Sequence, residues 1–152
     1  MGRVRASVDL PGPASEAEAL WYDHRRWPAF VDGLKNVARV TGDWPHAGAE
    51  ILWDSHPGGR GRVLERVLEH EARRGQVLAV EDERIRATQR VGFASHERGV
   101  VVGLELDYEL KDPRLNFAPI DLLFIRRRQR DALQRTLRRF AAELRAEREP
   151  AL

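Results

Sequence analysis

Two periodicities that follow one another in the second half of the chain constrain its fold most. Over residues 99–110, Val100, Val102, Leu104, Leu106, Tyr108 and Leu110 share one side, while Glu105, Asp107 and Glu109 take the other. A strand with that pattern has one dry face and one wet face. Further on the period changes: Leu133, Leu137, Phe140 and Leu144 recur at spacings of four, three and four, with Ala132 and Ala141 beside them. That is an amphipathic helix. Over residues 120–147 it would be roughly 40 Å long at 1.5 Å per residue. A half-dry strand and a long helix with one apolar stripe each need a cover, and each supplies one to the other.

The rest of the chain supplies the sheet. Val4, Ala6, Val8 and Leu10 alternate with Arg3, Arg5, Ser7 and Asp9, a first strand that stops at Pro11-Gly12-Pro13. Ser15 and Glu18 have capping-box spacing, and Ala17, Leu20 and Trp21 form the apolar side of a short helix that fades by Asp23. Residues 27–31 predict a second short helix with Pro28 in its first turn, ended by Asp32-Gly33. Strands then follow at 37–41, 51–55, 62–69, 77–80 and 85–95, separated by Gly42-Asp43, Pro57-Gly58-Gly59 and Arg74-Gly75. The fold expected is α+β: a curved, seven-stranded antiparallel sheet around a long C-terminal helix, with two short helices after the first strand. The 152 residues are 42% hydrophobic and 33% charged and contain no repeat or linker, which predicts one domain spanning 1–152.

This order of elements resembles the START-like, or SRPBCC, superfamily of helix-grip proteins, and in particular its polyketide cyclase/dehydrase and lipid-transport branch. The resemblance covers nearly the whole chain. It is carried by the strand at 4–10, by Trp21-Tyr22-Asp23 leading to Trp27-Pro28-Ala29-Phe30, by Trp44-Pro45 with Gly48 before a strand, and by the strand at 99–110 followed by the long helix. It implies a cavity between helix and sheet, used in various members for lipids, sterols, polyketides or other apolar ligands. None of these motifs is a catalytic signature, and fold alone does not fix function.

Residues of inward parity are the candidates for lining such a cavity. Trp53 is in phase with Ile51, Gln89 with Val91 and Phe93, and Tyr108 with Leu104 and Leu106. Together they combine apolar surface with a few hydrogen-bonding groups. Stepping back along the helix from Leu133 reaches Gln129, Arg130 and Arg126, beyond which lie Ile120, Leu122, Leu123, Phe124 and Ile125. Phe124, Arg126 and Arg130 therefore cap the cavity if the helix stays on the sheet, where a guanidinium would meet a ligand carboxylate or enolate. They stand in water if it runs past the sheet's edge. The strand at 62–70 is ambiguous in the same way. One parity turns Glu65 and Glu69 inward as acid-base candidates, the other turns His70 inward, and a one-residue slip exchanges them.

Other chemistries lack their residues. There is no cysteine for a disulfide, a thiolate site or a thiol nucleophile. His24, His46, His56, His70 and His96 are scattered without metal-ligand spacing, Gly58-Gly59-Arg60-Gly61 lacks the lysine of a phosphate loop, and no G-x-S-x-G elbow occurs. No metal or cofactor is expected. No apolar run approaches the ~20 residues of a membrane span, and residues 1–10 do not resemble a signal peptide, which gives a cytoplasmic expectation. The charge is uneven: nine arginines against four acids give residues 126–149 a charge of +5, leaving −3 on the rest of a chain whose total is +2.

Three functions fit these residues. The first is binding of a small hydrophobic or amphipathic molecule, lipid or polyketide-like, by a monomer or homodimer. The second is a polyketide aromatase or cyclase using cavity acid-base and arginine groups. The third is an interaction module whose basic helix meets an acidic protein, RNA or an anionic membrane. The aromatic interleaving of a nucleic-acid platform is missing from that helix, so no specific nucleic acid is expected.

Overall fold

The computed structural model describes residues 2–112 and 119–149. Strand β1 (Gly2–Pro11) is followed by helix α1 (Ala14–Tyr22), a 3-10 turn (His24–Arg26) and helix α2 (Trp27–Phe30). Then come β2 (Leu34–Thr41), β3 (Glu50–Ser55), β4 (Arg62–Glu71), β5 (Gly75–Glu81), β6 (Ile85–His96), β7 (Gly99–Leu110) and helix α3 (Pro119–Arg148). Residues 113–118, between β7 and α3, lie outside the described residues.

All seven strands form one antiparallel sheet in the order β1-β7-β6-β5-β4-β3-β2. Strands β2 to β7 meander through successive turns, so β7 returns to pair with β1, Val8 opposite Val102 and Val4 opposite Leu106. The short helices carry the chain from one edge of the sheet to the other. The sheet stays open, with β1 and β2 as its edges.

Parity follows the sequence reading. Val100, Val102, Leu104, Leu106 and Tyr108 are buried on the inner face, as are Val91 and Phe93 of β6 and Leu78 and Val80 of β5. The C-terminal half of α3 covers that face with Leu133, Leu137, Phe140 and Leu144. Each such side chain taken from water is worth about 2 kcal/mol. Phe140 is fully buried, edge-on to Trp21 at 5.4 Å and to Phe30 at 5.3 Å between ring centres. Polar ties fix the same half: Arg135 donates two hydrogen bonds to the Asp32 carboxylate at 3.0 and 3.1 Å, and Arg139 adds one at 3.3 Å. The Asp32 backbone N–H donates to the Thr136 hydroxyl at 2.9 Å.

The capping box at Ser15 and Glu18 does not form. Pro13, in extended geometry, is the N-cap of α1, which places Ser15 inside the first turn rather than before it. The Glu18 carboxylate instead accepts the backbone N–H of Arg73 in the β4–β5 turn.

That turn depends on Gly75. Its φ is +149°, and a Cβ there would lie 2.0 Å from the carbonyl oxygen of Val91 on β6. Gly75→Ala is expected to cost about 3 kcal/mol, from backbone strain and the clash together. Urea unfolding measures it, and a loss below about 1 kcal/mol would show that β5 and β6 can separate there at little cost.

Candidate functional site

Strand β4 resolves its ambiguity by changing parity midway. Val67 pairs with Leu78 and Glu69 with Val77, so Leu68 is an extra residue, a β-bulge. Before the bulge Val63, Glu65 and Val67 are buried; after it Glu69 is exposed and His70 is half-buried. The expected sets, Glu65 with Glu69 or His70 alone, both assume regular pairing. The bulge instead turns Glu65 and His70 inward and Glu69 out.

Glu65 lines a cavity of about 80 Å³ between the sheet and α3. Trp53 Nε1 donates to Glu65 Oε2 at 2.6 Å, and both residues are almost fully buried. These residues are cross-strand neighbours on the inner face, since Ile51 pairs with Glu65 and Trp53 with Val63. Trp21, Trp27, Leu104 and Leu106 supply apolar wall, and Gln89, Gln129 and Thr136 the other uncharged polar groups.

Arg60 completes the site from the β3–β4 turn. Its guanidinium carbon is 5.6 Å from the centre of the Trp53 ring, and its Nε donates to Asp82 Oδ2 at 2.8 Å. Asp82 is buried and held in turn by the backbone N–H groups of Arg84 and Ile85, each at 2.8 Å. In the sequence the glycine-rich 58–61 turn signals only a hairpin. The signal for Arg60 is its position, one basic residue among three glycines that leave it free to fold back over the sheet.

The other expected lining residues disperse. Trp53 and Gln89 line the cavity. Phe93 packs instead beneath α1, 6.0 Å from the Tyr22 ring, where His70 also lies at 5.4 Å from Tyr22 and 5.0 Å from His46. Tyr108 is buried at the far end of β7, against Gly2. Phe124, Arg126 and Arg130 are exposed, so of the two placements that the sequence leaves open for them the structure has the one in water. The first fully buried side chain of α3 is Leu133, while before it Ile125 and Gln129 are half-buried on the side that faces the core and the cavity. A second, wider groove of about 970 Å³ lies around Gly92 and Gly103 on the sheet's outer face. It is open to water, and two of its three arginines are partnered, Arg5 with Glu105 and Arg74 with Glu71. The enclosed site is therefore the candidate. Among the described residues no cluster of three metal-ligating groups exists, and no helix is long and apolar enough to cross a membrane.

Burial pushes the Glu65 carboxyl above the usual carboxylate range, against the opposing pull of the Trp53 N–H and the Arg60 charge. A carboxyl raised in this way holds its proton longer in the folded state than in the unfolded chain. Its contribution is thus full below the unfolded-state pKa and is lost as pH rises through the folded-state pKa. Glu65→Gln keeps an oxygen for the Trp53 N–H and removes the ionisation. It should gain stability relative to the parent as pH rises above the ordinary carboxylate range, while Glu65→Leu, which strands the N–H, should lose about 1–3 kcal/mol. Thermal unfolding across pH tests both, and a parallel pH profile for parent and Glu65→Gln would contradict the buried, proton-holding carboxyl.

The comparisons with known proteins agree with this architecture. The family described as Polyketide cyclase / dehydrase and lipid transport matches residues 1–145. The protein TTHA0849 from Thermus thermophilus superimposes with a TM-score of 0.81 at 19% identity, over 97% of this chain and 100% of that one. A START superfamily protein from Mycobacterium smegmatis gives 0.74 at 14%, over 95% and 97%. Norcoclaurine synthase from Thalictrum flavum, in complex with dopamine and hydroxybenzaldehyde, gives 0.71 at 9%, over 99% and 89%. No curated protein matches the sequence itself. An inner cavity gripped by a C-terminal helix, a seven-stranded sheet in this order and a family match from the first residue to the last turns of α3 lead to one assignment: the chain belongs to the polyketide cyclase/dehydrase and lipid-transport family of START-like proteins.

Proposed function

We propose that the chain binds a small, largely apolar molecule carrying a carbonyl or hydroxyl group in the cavity beneath α3. The observation that carries this reading is Glu65, a carboxyl buried in a chamber walled by tryptophans and hydrogen-bonded to one of them. A proton held on Glu65 is a donor for a ligand oxygen, and Gln89, Gln129 and Thr136 offer further hydrogen bonds. The family's description and the small aromatic molecules bound by norcoclaurine synthase support a ligand of this kind.

Size sets a condition. About 80 Å³ admits roughly half a dozen water-sized groups, whereas pockets for drug-sized ligands start near ~300 Å³. A larger ligand needs one wall to yield. The wall suited to this is the N-terminal half of α3, because residues 119–132 contribute no fully buried side chain and their displacement exposes little core.

A second reading, an acid-base enzyme of the cyclase/dehydratase type, is favoured by the same carboxyl. Held toward its protonated form, Glu65 would give its proton to a substrate carbonyl oxygen and, as the carboxylate so formed, take the α-hydrogen as a proton, which leaves the enol and restores the acid. Its pKa direction suits a general acid, and the absence of metal-ligand spacing in the sequence leaves acid-base groups as the resident chemistry.

Native mass spectrometry of the purified protein, followed by titration of small aromatic ketones, polyketide mimics and fatty acids, tests the binding reading. Trp21, Trp27 and Trp53 line the cavity, so entry of a ligand should alter intrinsic fluorescence. Ala132→Phe, which fills the chamber from α3, should weaken binding at least about tenfold. Unchanged affinity in that variant would place the ligand elsewhere. For a substrate that turns over, Glu65→Gln should retain binding and lose about a hundredfold or more in rate.

A further inference from the structure

Four of the five large hydrophobic side chains that are exposed among the described residues lie within one turn and a half of α3. Ile120 is 60% exposed, Leu122 46%, Leu123 55% and Phe124 56%. Surface hydrophobics are ordinarily scattered singly, and a contiguous cluster marks a contact. Immediately after them come Arg126, Arg127, Arg128 and Arg130, all exposed. These four enter no ion pair among the described residues, whereas Arg135, Arg139 and Arg148, further along the helix, are bound to Asp32 and Glu16.

Helical geometry gives these two groups a particular arrangement. At 100° per residue, Leu122 and Phe124 point to nearly opposite sides of the helix, and Ile120 and Leu123 lie between them on one flank. The arginines are spread in the same way, so they form a collar rather than a stripe. One flat partner surface covers one side of a helix and leaves the other side wet. A medium that surrounds the tip covers all four apolar side chains at once. From Leu122 to Arg128 the rise is about 9 Å, comparable with the depth to which interfacial helices sink below the headgroups, about 5–10 Å.

We infer that the N-terminal tip of α3 docks on an anionic lipid surface, its apolar turn entering the acyl boundary and its arginine collar resting among the headgroup charges. Two acids lie within this half. Asp121 sits on the tip and has a partner of its own, and Asp131 lies behind the collar. The four collar arginines outnumber them. This inference is independent of what the cavity binds, since every residue it uses lies outside the chamber. Basic residues near an anionic surface and apolar side chains beneath it are the two signals that together hold a peripheral protein.

Co-sedimentation of the full chain with phosphatidylcholine vesicles, with or without one-quarter phosphatidylglycerol, is the test. Binding is expected to the anionic vesicles and to fall as salt rises from low to physiological. Converting Arg126, Arg127 and Arg128 to Gln should reduce partitioning about a hundredfold, from roughly fivefold per charge. Leu123→Ser with Phe124→Ser should reduce it at least about tenfold at either salt. All five positions are exposed, so unchanged circular dichroism and melting are expected and serve as the control for folding. Equal binding to neutral and anionic vesicles, full binding by either variant, or no vesicle binding by the parent overturns the inference. So does sedimentation velocity showing a dimer of the parent that Leu123→Ser with Phe124→Ser dissolves, because the occupant of the tip would then be a second copy.

Discussion

The structure turns on Phe140. Its ring sits edge-on to Trp21 of α1 and Phe30 of α2, and Leu137 and Leu144 beside it press on the inner face of the sheet. Without that contact much of the dry face of the sheet would stand open, and α1 and α2, each too short to persist alone in water, would keep only the sheet to lie on. The Asp32 clamp to Arg135 and Arg139 then fixes the sliding position of the helix. Exposed ion pairs are individually weak, so the clamp contributes register more than energy. Hydrophobic burial holds the helix down, and charge decides where along its axis it stops.

That division explains why α3 behaves as two helices in series. The half from Leu133 onward is covered, tied and apolar on one stripe. The half before it exposes Ile120, Leu122, Leu123 and Phe124, turns Ile125 toward the core, and carries four arginines that enter no ion pair among the described residues. An unevenness visible in the charge count of the chain thus becomes spatial: the arginines tied to Asp32 and Glu16 lie in the covered half, and the run Arg126, Arg127, Arg128 and Arg130 is exposed in the other.

Much of the fold was legible because it depends on period. Alternation at Val100 to Leu110, the four-three-four spacing from Leu133 and glycine at the turns are local patterns, and the elements followed them within a few residues. What was not legible depends on partners distant in sequence. Ser15 and Glu18 have the spacing of a cap, yet Pro13 had already begun the helix and Glu18 found Arg73 across the molecule. Arg60 looks like a turn residue until Asp82 and Trp53 are brought beside it. Trp53 and Gln89 were readable as cavity residues from parity alone. Phe93 and Tyr108 share that parity but sit elsewhere along the sheet, and parity reports the face without reporting the position on it. For Phe124, Arg126 and Arg130 the sequence left two placements open, because a stripe continuous in sequence does not report which of its side chains reach the sheet; in the structure all three are exposed.

The bulge at Leu68 has a consequence for how such chains diverge. A single supernumerary residue acts as a phase shift within β4, so the segment before it and the segment after it obey opposite rules for which side chains see the interior. Straightening of the strand at that point, with Leu68 kept and the extra residue taken up in the turn to β5, would bring the Glu69 carboxylate inside and send the His70 imidazole out with no change in any side chain's identity. Relatives that keep the same residues in this strand but take up the extra one in the turn rather than in a bulge would enclose different chemistry, and moving the bulge is equivalent to several substitutions at once.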